Sequence, residues 1–133
     1  MQQKFRNIIR FLNKYGLNKL TILFAGKKHS PFAILLHTGR KSGKQYALPI
    51  IVQPHKDGFV IALTYGKEVD WFKNVMLAGV CGVIWKTRNY PLNDPKILLP
   101  AEGLSTFPNP ERFILRIMNI QDFLWLKSDH KLE

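Results

Sequence analysis

The first 56 residues contain no aspartate or glutamate; the first acid of the chain is Asp57. Eleven lysines and arginines fall in that stretch, against nine bases and nine acids from 57 to 133, so the whole net charge of +11 belongs to the N-terminal part. A basic region without internal counter-charge calls for an anionic partner: a phosphate, a nucleic acid or an acidic membrane surface. Cysteine is nearly absent. Cys81 stands alone, which excludes an intrachain disulfide, and its setting in an apolar run reads as a buried, inert thiol. No stretch approaches the roughly 18 apolar residues of a membrane span. The N-terminus is basic, but Asn13 and Lys14 interrupt any signal-like apolar core, so a cytoplasmic protein is expected. His29, His37, His55 and His130 lack metal-ligand spacing with one another, with Cys81 or with an acid, which argues against a metal site. There is no Ser-His-Asp or Cys-His arrangement, and there are no repeats or low-complexity segments. An enzyme without obvious acid–base side chains suits a cofactor that carries the chemistry itself.

What is present is enough for one domain. A chain of 133 residues with 46% hydrophobic and 22% charged residues is an ordinary soluble globular composition with room for one core. Phe5, Ile8, Ile9, Leu12 and Tyr15 recur at helical spacing, so a helical segment is expected over residues 1–26. Strands are expected at 32–37, 45–53, 59–65, 80–87 and 90–99, with Pro91 and Pro95 making the last an edge or bulged strand. Asp70 to Leu77 reads as a short helix closed by Gly79. Asn109-Pro110-Glu111 reads as a helix start, and Phe113, Ile114, Ile117, Ile120 and Leu124 extend it as an apolar face, giving a C-terminal helix over 109–127. The expected fold class is mainly β with α decoration: a small barrel with its core over 31–100.

Thr38-Gly39-Arg40-Lys41-Ser42-Gly43-Lys44 lies between two of these strands. Glycines, a hydroxyl and fixed positive charge in a turn form a concave anion site. It is not a Walker loop. That motif places four residues between its glycines and Ser or Thr after its lysine, whereas here three residues separate Gly39 from Gly43 and Gln45 follows Lys44. The plain alternative is a solvated basic hairpin tip.

The run from Leu35 to Lys44, with Pro49 five residues on, resembles the deazaflavin-dependent nitroreductase family, as does the later Asp70-Trp71-Phe72-Lys73-Asn74 helix. The likeness covers about residues 31–100. It implies a split β-barrel of the FMN-binding, flavin-reductase type, and binding of coenzyme F-420 or, as the alternative, FMN. On that resemblance Arg40, Lys41, Ser42, Gly43 and Lys44 hold the phosphate-linked tail. Pro49, Ile50, Ala62 and Leu63 line the ring, Lys67 reaches a carboxylate or phosphate, Trp71 floors the pocket and Asn74 fixes the loop. Thr64 and Tyr65 fall beside the ring and are the candidate catalytic residues. The family commonly has arginine where this chain has Tyr46, which brings a hydrogen bond but no charge. The implied activity is hydride transfer to a small-molecule redox substrate: a quinone, an enone or a nitro compound. Readings of other classes are a nucleic-acid module, disfavoured because Phe32, Phe59 and Trp85 lie in apolar runs, and a peripheral membrane protein anchored through residues 1–26. Split-barrel relatives are often homodimers, so a homodimer is one of the expected assemblies.

Overall fold

The computed structural model describes residues 32–129. The helix expected over 1–26 lies outside the described residues. Strand β1 (Phe32–Thr38) returns through the glycine-bearing turn as β2 (Gln45–His55), pairing antiparallel from Phe32 opposite Ile51 to Thr38 opposite Gln45. A second tight turn at Lys56-Asp57 leads into β3 (Gly58–Ala62). The chain then crosses one barrel end as helix α1 (Asp70–Ala78) and continues as the hairpin β4 (Val80–Trp85) and β5 (Arg88–Leu98). Two short helices follow, α2 (Pro100–Ser105) and α3 (Glu111–Ile117), and the last strand is β6 (Phe123–Ser128). All strand pairs are antiparallel, and the order β1-β2-β3-β6-β5-β4 closes where β4 meets β1. The register of β5 on β6 shifts between Asn93 and Lys96, a bulge at Pro95 that agrees with the expectation from its prolines.

The barrel interior is filled by alternate residues of every strand, among them Leu35, Phe59, Ile61, Val83, Leu92 and Leu124. Phe59 sits among the edges of Trp85 and Tyr90, with ring centroids 5.3 and 5.2 Å away. Phe59 and Trp85 are thus interior residues, unavailable to stack on a nucleic-acid base. Trp71, Phe72 and Val75 of α1 cap one barrel end. A second apolar layer lies outside the barrel, where Val60, Ala62 and Phe123 pack on Phe107 and Leu115 from the α2–α3 region. All of β3 is therefore buried, one face in each layer.

The C-terminal helix expected over 109–127 is corrected by the structure. The helix stops at Ile117, Asn119 adopts a left-handed conformation (φ 56°), and the Ile120 amide donates to the Leu115 carbonyl at 3.0 Å. That is a helix stop in which asparagine takes the place of glycine. Residues 123–128 are the sixth barrel strand rather than helix, so the barrel core is not confined to 31–100. The apolar run Phe123-Leu124-Trp125-Leu126 is continuous because Leu124 and Leu126 face the interior while Phe123 and Trp125 face the outer layer. A strand covered on both faces loses the alternation that would distinguish it from a helix. Phe113, Ile114 and Ile117, expected on the apolar face, are exposed, and Leu115 is the buried residue of α3.

Candidate functional site

The turn between β1 and β2 is held by its own backbone. Gly39 N–H donates to the Lys44 carbonyl at 2.7 Å and Gly43 N–H to the Gly39 carbonyl at 2.9 Å. Gly43 has φ 70°, the left-handed region that glycine enters without a Cβ penalty. Its amide is thus spent within the turn. Ser42 Oγ accepts from Lys44 N–H at 3.2 Å and lies 3.4 Å from the Tyr46 hydroxyl. Lys41, Ser42 and Lys44 are exposed, and neither lysine has an ion-pair partner among the described residues.

Arg40 turns inward. Its backbone N–H and its Nη1 both donate to Asn74 Oδ1, at 3.0 and 2.8 Å, and Nη2 reaches Asp70 Oδ1 at 3.4 Å. The turn is thereby tied to α1. With Oδ1 occupied twice, the Asn74 amide nitrogen donates to His37 Nδ1 at 3.1 Å, which leaves the His37 proton on Nε2. His37 also stacks on Tyr46, with centroids 5.5 Å apart. Burial lowers the His37 pKa, and the Asp70 carboxylate opposes this in part. The unfolded chain therefore binds a proton at this position more readily than the folded one, so stability should fall as pH drops below about 6.5 and be fully present above it. Melting temperature against pH should show this slope, and His37→Leu should remove part of it.

The other expected residues surround the same barrel end. Trp71 is core, packed beside Phe72. Ile50 and Leu63 point into the barrel and Ala62 into the outer layer, so these three can offer a ligand only backbone. Pro49 is exposed on β2, Thr64 is half-buried, and Tyr65 is 86% exposed, a loop tyrosine without a packing role. Leu63 N–H donates to the Asp122 carbonyl at 2.9 Å, and Lys67 lies 3.9 Å from the Asp122 carboxylate. Cys81 is free, and burial pushes its thiol up to about 12, as an inert cysteine requires. Among the described residues no cluster of His, Cys, Asp or Glu could hold a metal ion, and no helix is long and apolar enough to cross a membrane.

One feature of this region had no sequence signature. A groove of about 630 Å³ runs along β1, β4 and β5 beneath the C-terminal end of α1, between Leu36, Tyr46, Ala78 and Pro91. None of the residues expected at the site lines it. Its walls come from strands paired across long stretches of chain; the sole local hint is Gly82 in mid-strand.

Six antiparallel strands close into a split-type barrel, capped by a short helix with a cation-rich hairpin turn beside it. No protein-family model matches the chain, and no curated protein matches it in sequence. Solved structures do share the fold. A domain-swapped dimer is similar at a TM-score of 0.55 and 16% identity, over 92% of this chain and 98% of that one. A protein of Bacteroides thetaiotaomicron, provisionally assigned to 5-nitroimidazole antibiotic resistance, is similar at a TM-score of 0.54 and 8% identity, over 77% and 75% of the two chains. An F420-H2-dependent reductase overlaps at a TM-score of 0.44 and 15% identity, over 73% and 94%, too low to bear on function. At these identities the likeness shows the fold alone.

Proposed function

We propose that this chain is a deazaflavin-dependent oxidoreductase that passes hydride from reduced coenzyme F-420 to a small activated acceptor. The observation that carries the reading is the turn: Lys41 and Lys44 exposed and, among the described residues, without ion-pair partners, with the Ser42 hydroxyl between them, on a backbone locked by Gly39–Lys44 pairing and by Asn74. Those residues fit a phosphate with attached carboxylates. Lysines supply point charge and the serine a short donor. Arg40 orients the turn from below, and Gly43 permits its curvature. When bound, the deazaflavin supplies the hydride. Around it this chain would offer Pro49 and the backbone of Ile50, Ala62 and Leu63 as one wall. Thr64 would hydrogen-bond at the ring edge, and Tyr65 would give a proton to the reduced acceptor from its exposed position at the mouth. Lys67, steadied by Asp122, adds positive charge to the same rim. The shared fold with a 5-nitroimidazole resistance protein makes a nitro compound the first acceptor to try.

A fluorescence titration at low salt tests this. Coenzyme F-420 should bind saturably and more tightly than FMN; no saturable binding of either would sink the reading. FMN is the second reading, favoured by one observation: Arg40 is engaged by Asn74 and Asp70, so two lysines remain at the turn, enough for a single phosphate. A homodimer is the assembly we propose with it, since Phe113, Ile114, Ile117 and Met118 form an exposed apolar face. Light scattering on the eluting protein would decide it by mass.

A further inference from the structure

Between Arg40 and His37 each hydrogen bond dictates the next. Arginine has only donors, so the bonds from Arg40 N–H and Nη1 require Asn74 to present its oxygen, at 3.0 and 2.8 Å. The Asn74 amide nitrogen then faces His37 Nδ1 at 3.1 Å and needs an acceptor there, which only the neutral ring supplies. Asn74 is 4% exposed and His37 8%, so neither can readily exchange its partner for bulk water. A buried donor left unmatched carries a desolvation cost.

A proton on the ring reverses this order. His37 Nδ1 becomes a donor and meets a second donor, the Asn74 amide. The amide relieves the conflict by turning over within its own volume, since its oxygen and nitrogen are nearly the same size, and Oδ1 then accepts from His37 Nδ1–H. The conflict passes to Arg40, whose N–H and Nη1 now face the amide nitrogen. The imidazolium charge repels the guanidinium as well. Arg40 keeps only the exposed Asp70 carboxylate at 3.4 Å, a weak surface pair. The turn retains its curvature, because the Gly39–Lys44 and Gly43–Gly39 backbone bonds do not involve Asn74.

On the reading of the turn as an anion clamp, we propose that His37 is its positioning residue: the neutral ring holds Arg40 on Asn74, and the protonated ring releases the guanidinium to join Lys41 and Lys44 on a bound anion. The groups around the ring are Asp70 of α1, Arg40 of the turn, Tyr46 of β2, stacked 5.5 Å away, and Cys81 of β4. Lys73 of α1 is turned to Glu68, and the Cys81 thiol, pushed up to about 12, stays neutral. Burial lowers the His37 pKa from 6.5 and Asp70 opposes this, so without ligand the release falls below that pH. An anion on the turn favours the released form, so it raises the His37 pKa, and binding tightens as pH falls.

NMR of the ligand-free full chain between about pH 7.5 and 5 should show the Arg40 backbone amide and the Asn74 side-chain amide moving with the midpoint of the His37 ring. Calorimetric titration with coenzyme F-420 over the same range should show affinity rising roughly tenfold toward acid, the worth of one charge-assisted hydrogen bond. His37→Gln keeps an acceptor for Asn74 but takes no proton, so it should lose that gain. Comparing it with the parent chain at each pH cancels any titration of the coenzyme itself. Arg40→Ala should lose the gain too, while its His37 still titrates. Arg40 and Asn74 signals that stay still as His37 titrates would overturn the assignment, as would a His37→Gln chain with the pH dependence of the parent. Should the coenzyme bind at no pH, the proposed activity fails, and the ligand-free spectra alone decide for or against the His37 relay.

Discussion

Reversing both exposed lysines of the turn, Lys41→Glu with Lys44→Glu, should weaken coenzyme F-420 binding by about a hundredfold at low salt while leaving the melting temperature unchanged. Each reversal trades attraction for repulsion a few ångströms from a phosphate, and at the effective dielectric of a protein surface the pair amounts to roughly 3 kcal/mol. The fold should not notice, because neither side chain is buried or paired among the described residues. The remaining affinity should also depend less on salt, since fewer cations face the ligand. Arg40→Ala is the informative contrast. It removes the Nη1 donor from the buried Asn74 and should destabilise the protein by about 1–3 kcal/mol. Its effect on binding should follow from a loosened turn and not from lost contact. Titration fluorescence with the two variants, each checked by thermal melting, separates the roles. A double variant that binds as tightly as the parent chain would remove the turn from the ligand's path.

Gly58→Ala should be severely destabilising for a single added methyl. A Cβ at this position would stand 1.9 Å from the Leu126 carbonyl oxygen and 2.9 Å from Trp125 Nε1. Neither can yield cheaply. Leu126 is backbone of β6 in register with Phe59, and Trp125 Nε1 donates to the His55 carbonyl at 2.9 Å. The strands must separate where β3 pairs with β6, at a cost of roughly 3 kcal/mol or more. For a domain of this size the melting temperature should drop by about 10 °C or more. Gly43→Ala gives the scale: that position has open space and strain only from φ 70°, so about 1 kcal/mol is expected. If Gly58→Ala melts like the parent, β6 does not pack on β3 as described.

Most of the strands were legible because their period and punctuation are local. The first two hairpins declare themselves by β-branched and aromatic runs bounded by glycine and proline, and α1 by its apolar face and by Gly79. The cationic turn was legible for the same reason: charge and glycine spacing need no partner to be seen. The last strand was not legible. Its four apolar residues continue a helical pattern from Phe113, and the stop at Asn119 is a weaker sign than a glycine would be. Only the α2–α3 layer on one side and the barrel on the other explain why every residue of that run is apolar.

The candidate site divides along the same line. The sequence by itself determined that the turn would carry lysines and lie in an acid-free segment, because the first acid of the chain is Asp57. It determined also that the protein would be a small barrel without disulfides. The tertiary structure decided what each side chain is free to do. It turned Arg40 from an exposed fork into an anchor on Asn74, since residues 34 positions apart meet only when α1 folds over the barrel end. It committed Ile50 and Leu63 to the core, exposed Tyr65, and opened the groove along β1, β4 and β5. Pairing partners far apart in the chain set each of these outcomes, and no local pattern carries that information.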